Sequence, residues 1–395
     1  MNRRDFLAGA ATGVVVGAAG AYGLTRADRG PAPAPQEAAT PAPAVTPEPA
    51  ESVPAAPAIA KGIRELKMVT TWPKNFPGLG TGAQRVADRV NALTDGKLKI
   101  QVFAGGELVP PFESFDAVSN GTADLYHGAE YYWQGKSPAF NFFTTVPAGL
   151  TAAEINAWIH HGGGQALWDD LSAGFNIKPM LCGNTGVQMG GWFNKEIKSA
   201  DDLSGLKFRM PGLGGEVMRR LGVNVVSLPG QEIFPALQAG TIDATEWVGP
   251  WNDLAFGFYK ITKNYYWPGI LEPGSALSMG VNRKVWNELT AEQQSVLQHV
   301  ASAENDYMYA EFNARNGEAL ATLVNQHGVQ LRRFPDDVLK AIGTAATEVV
   351  SDIGNADEVT KKVYDSYVAF RRYISRWTAL SEEAFTTARD AFFPT

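Results

Sequence analysis

Short strand patterns alternate with helical patterns from residue 66 onward, and this alternation constrains the fold more than any other feature of the chain. Residues 66–72 and 98–103 have the apolar patterns of strands, and residues 82–93 between them repeat apolar side chains at helical spacing. Further strands are predicted over residues 123–128, 177–181, 187–193 and 223–228. Strands that alternate with helices are typical of an α/β fold with mostly parallel sheets.

Two distant segments share one local pattern. Residues 115–124 and residues 234–243 each combine a short helix, a glycine and a strand that opens with Thr-x-Asp. Ligands of open α/β sheets bind beyond the carboxyl ends of the strands. The residues that follow the two copies, 127–132 and 246–251, are therefore candidates for the walls of a cleft.

The second half of the chain is predicted to be mainly helical. Thr290 and Gln293 form a capping box that opens a long helix, and a similar box opens a helix over residues 151–171. The tail over residues 336–391 also has helical spacing. A long helix late in a two-domain protein is expected to brace both lobes or to pack on a partner subunit.

The N-terminus has the pattern of an export signal. Arg3 and Arg4 precede a weakly apolar run that ends near residue 24, which predicts a twin-arginine signal over residues 1–24. The alternative, a transmembrane anchor, needs roughly 20 strongly apolar residues. Residues 25–61 are rich in Pro and Ala and predict a semi-rigid linker outside the fold. We expect a periplasmic protein, which an uncleaved signal would tether to the inner membrane.

The composition argues against nucleic-acid binding, against an internal disulfide and against a cysteine-rich metal cluster. The formal net charge is −7 and no long basic run occurs, so the chain lacks the electrostatic footprint of a nucleic-acid-binding protein. An acidic protein can still bind an anion through a local positive site. Cys182 is the only cysteine, which excludes an internal disulfide and a cysteine-rich metal cluster.

Arg209 is a candidate for such a positive site. It lies between Phe208 and Met210 at the predicted end of a strand. Arginine is rarely buried without a partner, and its planar fork fits a carboxylate with two parallel hydrogen bonds. The alternative is a structural ion pair with an acid of the protein.

Glu246 and Trp247 follow the second Thr-x-Asp strand and are candidates for a cation site. Hard cations bind carboxylate, amide and main-chain carbonyl oxygens, and Gln188 could supply the amide oxygen. The alternative is that Glu246 is solvated and Trp247 is part of the core. An aromatic-rich set near the predicted cleft is typical of a pocket wall, unless it too is core. This set comprises Tyr131, Tyr132, Trp133, Trp192, Trp247 and Trp251.

No motif in the sequence indicates catalysis. Residues 78–83 formally match a dinucleotide fingerprint, but the acid expected about 20 residues later is missing, so a glycine-rich loop with a helix N-terminus facing the cleft is favoured. Residues 204–207 fit Ser-x-x-Lys without the companion motifs of that enzyme class. The sequence therefore indicates ligand capture rather than an enzyme.

Three segments carry a resemblance to a known family. Residues 121–124, 193–209 and 237–247 resemble the solute-binding subunits of TRAP transporters (tripartite ATP-independent periplasmic transporters), and the N-K-x-I…D-L-x-G-L-K-x-R run is the most specific part. Gln188, the Glu-Trp pair and residues 265–269 look closer to the branch that binds 2-oxo acids or lactate with a metal ion than to the C4-dicarboxylate branch.

The resemblance implies a two-lobed periplasmic binding protein of the type II-like kind, with mixed sheets flanked by helices, a lobe-spanning helix and a helical C-terminal tail. Residues 62–185 with 243–283 would form lobe I, and residues 186–242 with 284–334 would form lobe II. Residues 335–395 would form C-terminal helices that mediate dimerisation.

The resemblance also implies roles for individual residues. Arg209 would clamp the ligand carboxylate, and Tyr131 would contact the ligand. Gln188 and Glu246 would bind sodium or calcium through side-chain oxygens, with the main-chain carbonyl of Trp247 beside them. The partners would be a small carboxylate such as pyruvate or lactate, the TRAP membrane subunits and a second copy of the chain.

Two rival functions remain open from the sequence. The first is an exported enzyme that contains a cofactor, since twin-arginine export often serves such proteins. The second is the ligand-binding partner of a signalling system, which would use the same fold without transport.

Overall fold

The structure is a computed structural model that describes residues 62–392. The predicted signal over residues 1–24 and linker over residues 25–61 lie outside the described residues, as do residues 393–395. None of the helices between residues 62 and 392 combines the length and the apolar character that crossing a membrane requires.

Strands and helices alternate through the first two thirds of the described chain, and helices dominate the last third. The strands are β1 (Arg64–Thr70), β2 (Leu98–Phe103), β3 (Leu125–Gly128), β4 (Ile177–Asn184), β5 (Gly191–Phe193), β6 (Lys207–Arg209), β7 (Asn224–Val226), β8 (Ala244–Thr245), β9 (Asn264–Trp267), β10 (Ala276–Asn282) and β11 (Gln330–Arg333). The α-helices are α1 (Leu79–Leu93), α2 (Ser114–Ser119), α3 (Ala152–His161), α4 (Gly164–Ala173), α5 (Gly212–Arg220), α6 (Gly230–Gln238), α7 (Pro250–Phe256), α8 (Arg283–Glu288), α9 (Ala291–Asn325), α10 (Asp336–Gly354), α11 (Glu358–Leu380) and α12 (Glu382–Phe392).

The strands form two mixed sheets. The first sheet has the order β2-β1-β3-β10-β4, in which β10 runs antiparallel to both neighbours and the other pairs are parallel. The second sheet has the order β11-β9-β5-β8-β6-β7, in which β5 is antiparallel to β8 and β9. The predicted fold class, mixed sheets flanked by helices, is confirmed, and the expectation of mostly parallel pairing fails only at β5 and β10.

The sheet pairing divides the chain differently from the predicted lobes at one place. The family resemblance implied that residues 243–283 belong to lobe I, but only β10 of that stretch pairs in the first sheet. β8 and β9 both pair with β5, so they belong to the second sheet together with β6 and β7. This part of the predicted division is wrong, because the chain crosses back to the first sheet only after residue 267.

The repeated Thr-x-Asp pattern forms the same pair of hydrogen bonds in both sheets. The main-chain N–H of Lys67 in β1 donates to Asp124 Oδ2 at 2.7 Å, and the Asp124 N–H donates to the Lys67 carbonyl at 2.9 Å. In the second sheet the Lys207 N–H donates to Asp243 Oδ2 at 3.0 Å, and the Asp243 N–H donates to the Lys207 carbonyl at 2.7 Å. Each aspartate therefore ties the start of its strand, β3 or β8, to the parallel neighbour.

Both predicted capping boxes form at the starts of α3 and α9. The predicted helix over residues 151–171 is nevertheless two helices, α3 and α4. Gly163 between them has a φ of 86°, a left-handed backbone that glycine adopts without strain and that ends the first helix.

The long helix α9 contacts parts of the chain that belong to both sheets. The buried carboxylate of Glu304 accepts hydrogen bonds from Arg85 Nη2 at 2.6 Å and Arg89 Nη1 at 3.1 Å, both on α1. Further along, Asn316 Oδ1 accepts from the main-chain N–H of Trp251 at 3.0 Å, at the start of α7. The prediction that a late, long helix braces two parts of the fold agrees with these contacts.

The C-terminal helices differ in how much they bury. Tyr367 of α11 is buried, and its hydroxyl accepts a hydrogen bond from the Leu150 N–H at 2.8 Å. α12 buries no residue. Six large apolar side chains of α11 and α12 are exposed: Val359 near the start of α11, and then Tyr373, Trp377, Leu380, Phe385 and Phe392.

Candidate functional site

A small cavity lies where segments that follow strands of both sheets meet. Trp72 and Tyr131 follow β1 and β3 of the first sheet, and Trp247 follows β8 of the second. The cavity has a volume of about 10 Å³, which is about the room that one water molecule needs. Its lining residues are Trp72, Leu79, Tyr131, Tyr132, Thr185, Gln188, Trp247, Val248, Ser275 and Leu277.

Gln188 is held in the polar part of this lining. Its main-chain N–H donates to the Glu272 carbonyl at 3.1 Å, and its Nε2 donates to Thr185 Oγ1 at 3.0 Å and to Ser275 Oγ at 2.9 Å. The main chain thus bonds to a loop, which is why β5 begins at Gly191 and not at residue 187 as predicted. Both amide protons are used, so the free Gln188 Oε1 is the atom left for a ligand.

Arg209 ends β6, and its side chain is completely buried. Its Nε donates to the Leu228 carbonyl at 3.1 Å, and its Nη1 donates to the Glu246 carbonyl at 2.7 Å. The nearest carboxylate oxygen, Glu246 Oε2, is 4.0 Å from Nη1, too far for a hydrogen bond. Main-chain carbonyls therefore orient the guanidinium, and its Nη2 has no partner.

Glu246 and Glu272 form a buried acidic pair close to the arginine. Burial, followed by repulsion from Glu272, raises the pKa of Glu246 well above its usual value, although Arg209 opposes the shift. Burial likewise raises the pKa of Glu272 to about 7, against the hydrogen bond that its Oε2 accepts from Ser275 Oγ at 2.6 Å. The alternative that Glu246 is solvated is wrong, because only 1% of the residue is exposed.

Gln188, Arg209, Glu246, Trp247 and Glu272 each have a buried polar atom without a hydrogen-bond partner, and these atoms are of two kinds. The acceptors are Gln188 Oε1, both carboxylate oxygens of Glu246, and Glu272 Oε1. The donors are Arg209 Nη2 and Trp247 Nε1. Buried polar groups without partners are costly and uncommon in folded proteins. The oxygens of this set are of the kind that binds a cation, and the N–H donors are of the kind that binds an anionic acceptor.

The acceptor set fits a hard cation. Sodium- or calcium-like ions prefer carboxylate and amide oxygens, and the four unpaired oxygens are of these two kinds. A positive ion would also relieve the repulsion between the two buried carboxylates. Between residues 62 and 392 no group of three or more His, Cys, Asp and Glu side chains is placed to hold a metal ion.

Tyr131 lines the cavity and packs against the start of α5. A Cβ at Gly212, at the start of α5, would lie 2.5 Å from Tyr131 Cδ2, so only glycine allows this approach. Gly212 also has a φ of +59°, a backbone conformation that L side chains rarely adopt. Leu79 begins α1 and lines the cavity as well, which agrees with the prediction that the glycine-rich loop faces the cleft.

The structure brings the predicted site residues together in two layers. Tyr131, Gln188 and Trp247 line the cavity directly. Arg209 and Glu246 lie behind this lining, and the guanidinium carbon of Arg209 is 5.0 Å from the centre of the Trp247 ring. Glu272 is not predicted from the sequence, because it lies in the loop between β9 and β10 and has no periodic pattern around it.

Comparison with known families identifies the family that the sequence resembles. The family model for bacterial extracellular solute-binding proteins, family 7 (DctP), matches residues 68–357, well over half of the chain. The chain belongs to this family. The identification as a TRAP-type solute-binding subunit, which rested on residues 121–124, 193–209 and 237–247, is thereby confirmed.

Relatives with known ligands are similar over most of the chain. The monocarboxylate 2-oxoacid-binding periplasmic protein of Nostoc sp. strain PCC 7120 is 44% identical over 319 residues, 81% of this chain and 87% of its own. A TRAP transporter solute-binding protein from Bordetella bronchiseptica RB50 is 38% identical, with a TM-score of 0.82, over 84% of this chain and 98% of its own. That protein is a mixed-occupancy dimer, with copurified calcium and picolinate in one active site and the other site apo.

A second solved structure adds a different ion. The TRAP periplasmic solute-binding protein from Pseudoalteromonas atlantica T6c, with bound sodium and pyruvate, is 37% identical with a TM-score of 0.80. The alignment covers 82% of this chain and 99% of that one. None of these three relatives supports the rival functions, a cofactor-containing enzyme or a signalling partner.

Proposed function

We propose that the chain captures a small 2-oxo monocarboxylate such as pyruvate, together with a sodium or calcium ion, for a TRAP transporter. The observation that carries the proposal is the division of the unpaired buried atoms into four oxygens and two N–H donors. A 2-oxo acid with a bound cation offers partners to both sets. The 2-oxoacid-binding protein of Nostoc supports the choice of ligand, and the Bordetella protein with calcium and picolinate and the Pseudoalteromonas protein with sodium and pyruvate support the choice of ion.

Arg209 and Trp247 supply the donors for the ligand carboxylate in this proposal. The Nη2 of Arg209 is free while its Nε and Nη1 are held by main-chain carbonyls, so the guanidinium is oriented before the ligand arrives. A preorganised donor costs little ordering entropy when the ligand binds. The charge on Arg209 makes the resulting hydrogen bond stronger than one between neutral groups.

Gln188, Glu246 and Glu272 supply the oxygens for the cation. The hydrogen bonds to Thr185 and Ser275 turn Gln188 Oε1 away from those hydroxyls and leave it free. The bound ion would supply a positive charge that polarises the 2-oxo oxygen and offsets the acidic pair. The main-chain carbonyl of Trp247, assigned from the family resemblance, is proposed as a further ligand.

Binding requires the walls of the cavity to move. The cavity of about 10 Å³ holds about one water molecule, and a three-carbon acid is larger than that. Because the walls follow strands of two different sheets, we expect separation of the sheets to admit the ligand and their approach to enclose it. Contacts made only in the closed state would then stabilise it.

The experiment is calorimetric titration with pyruvate of protein that has been stripped of metal with a chelator. Binding is expected to be weak in the stripped protein and to return when calcium or sodium is added. The variant Glu272→Gln is expected to lose at least about tenfold in affinity, because it removes one charge from the proposed cation set.

Glu154→Gln provides the matched control. Glu154 is also buried, but it closes the capping box of α3 away from the cavity, and glutamine fills that role equally well. Unchanged affinity in stripped protein, or equal losses in Glu272→Gln and Glu154→Gln, would contradict the proposed cation site. Failure of pyruvate, other 2-oxo acids and lactate to bind under any condition would refute the proposed function itself.

The proposal extends to export and to the transporter. The twin-arginine pattern at Arg3 and Arg4 supports export to the periplasm, where the family's receptors work. Membrane subunits encoded elsewhere would take the ligand from the closed receptor. The mass of the native protein tests the signal, since an intact N-terminus would mean that the linker tethers the domain to the membrane.

The proposal includes a homodimer formed through the C-terminal helices. α11 and α12 expose five large apolar side chains on consecutive helices, from Tyr373 to Phe392, which is unusual for a free surface. The dimeric relative from Bordetella bronchiseptica is consistent with such an assembly. Sedimentation of the folded protein would measure the association directly.

A further inference from the structure

We infer that His127 is a positioning residue, which fixes the Trp72 indole so that the cavity accepts only short-tailed 2-oxo acids. The inference rests on the proposed function, because it concerns the tail of the same ligand. His127 lies in β3, does not line the cavity, and contributes nothing to the cation or carboxylate partners described above.

The hydrogen bonds of His127 fix its tautomer. Trp72 Nε1 donates to His127 Nδ1 at 2.8 Å, because an indole nitrogen can only donate. His127 Nδ1 is therefore an acceptor, and the ring proton lies on Nε2, which donates to the Cys182 carbonyl at 3.0 Å. Burial also lowers the pKa of His127 to about 4, so the imidazole stays neutral at the pH of the periplasm.

These bonds connect Trp72, which lines the cavity, to two strands of the first sheet. Trp72 follows β1, His127 is in β3 and Cys182 is in β4, so one chain of hydrogen bonds connects the segment after β1 with the strands β3 and β4. The Thr71 N–H also donates to the His127 carbonyl at 3.2 Å, which fixes the main chain next to the indole. The position of Trp72 is thus set by the sheet rather than by the ligand.

The fixed indole lies where it limits the size of the ligand. Its ring centre is 6.4 Å from that of Trp247 in an edge-on arrangement and 6.4 Å from that of Tyr132. The polar lining at Gln188 and its hydroxyl partners serves the charged end of the ligand, so the ligand tail faces the apolar lining that includes Trp72 and Leu277. When the walls close on a ligand, the position of the indole therefore sets the room that is left for the tail.

Two conservative variants separate the two hydrogen bonds of the histidine. In His127→Asn the amide oxygen takes the place of Nδ1, so the acceptor for Trp72 is kept and the donor to the Cys182 carbonyl is lost. In His127→Gln the amide nitrogen takes the place of Nε2, so the donor is kept and the acceptor is lost. Each variant loses one buried hydrogen bond, so the pair is matched for the general cost in stability.

The measurement is the selectivity ratio, the dissociation constant for 2-oxoisocaproate divided by that for pyruvate, determined in the presence of calcium. We expect this ratio to fall about tenfold in His127→Gln, since an unpaired indole N–H no longer holds the wall. His127→Asn is expected to keep most of the ratio. The indole N–H resonance of Trp72, assigned by its loss in Trp72→Phe, is expected to shift in His127→Gln and to stay near its position in His127→Asn.

A double-mutant cycle makes the test specific. In Trp72→Phe, which has no indole N–H, adding His127→Gln should change the ratio no further, because the two residues act through one bond. Equal ratios in wild type and His127→Gln, or equal shifts in the two histidine variants, would overturn the inference while leaving the proposed function intact. If His127→Gln does not fold, an unchanged ratio in Trp72→Phe alone overturns it. Wild-type protein that binds no 2-oxo acid would instead remove the proposed function and the inference together.

Discussion

Replacement of Arg209 by lysine tests the carboxylate clamp without removing the positive charge. Arginine makes two hydrogen bonds to main-chain carbonyls, at 3.1 Å from Nε and 2.7 Å from Nη1, and keeps Nη2 free. A lysine ammonium is a single centre and cannot reach both carbonyls and the ligand in this geometry. The expected result of Arg209→Lys is therefore a protein that folds but binds pyruvate more weakly.

The magnitude follows from the bond that is lost. A hydrogen bond to a charged group contributes about 1.5–3 kcal/mol, which corresponds to about a 10–150-fold rise in the dissociation constant. Isothermal titration calorimetry with pyruvate and calcium measures this change, and thermal melting of the ligand-free protein reports the separate cost of the lost main-chain bonds. The expected binding loss exceeds what the change in stability of the free protein can explain.

Arg220→Lys is the matched control. Arg220 is half exposed and pairs with Glu348 and Asp352 on α10, away from the cavity, so its replacement is expected to leave pyruvate affinity unchanged. If the affinity of Arg209→Lys for pyruvate were within about threefold of that of the wild type, the guanidinium would not bind the ligand carboxylate. Arg209 would then have only a structural role, through its hydrogen bonds to the two main-chain carbonyls.

Three further predictions follow from contacts described above. Because the pKa values of Glu246 and Glu272 are raised, the folded protein holds protons that the unfolded chain releases above about pH 4.5. The stability of the metal-free protein should therefore fall as the pH rises toward about 7. Thermal melting should show a larger gain in stability from calcium at about pH 8 than at about pH 5.5. A calcium effect that did not depend on pH would contradict this. Asn252 Nδ2 donates to the Pro77 carbonyl at 3.0 Å and joins α7 to the loop before α1. Asn252→Ala should therefore speed pyruvate release about fivefold in stopped-flow experiments. An unchanged release rate would mean that this hydrogen bond does not stabilise the closed state. Trp377→Asp should shift the sedimentation coefficient from dimer to monomer without lowering pyruvate affinity, whereas an unchanged coefficient would argue against the proposed interface.

Local sequence signals predicted most of the secondary structure and one part of the site. The capping boxes of α3 and α9 depend only on residues three positions apart, so the sequence carries them completely. The repeated Thr-x-Asp pattern correctly located the starts of β3 and β8, because Asp124 and Asp243 bond to a parallel neighbour in the same way. The residues after these strands line the cavity for this reason.

Glu272 and the sheet crossover could not be predicted, because both depend on tertiary pairing. Glu272 gains its environment from Ser275 and from the main chain of Gln188, which is distant in sequence. The assignment of residues 243–283 to lobe I came from the family resemblance, and the sequence could not correct it, because a two-residue strand such as β8 has no periodicity that reveals its partner. His127 looked unremarkable in the sequence, since only the structure shows that its ring joins Trp72 to Cys182.

The position of β10 has a consequence for how the protein is made. β4, at the edge of the first sheet, pairs with β10 and with no other strand of the described chain. During synthesis, residues 177–184 therefore cannot pair until residue 282 has left the ribosome. Most of the second sheet is synthesised in the interval. Such long-range pairing slows folding and prolongs the exposure of apolar strands to aggregation. We expect a fragment that ends before residue 276 to need a chaperone or to precipitate, even though it contains four of the five strands of the first sheet.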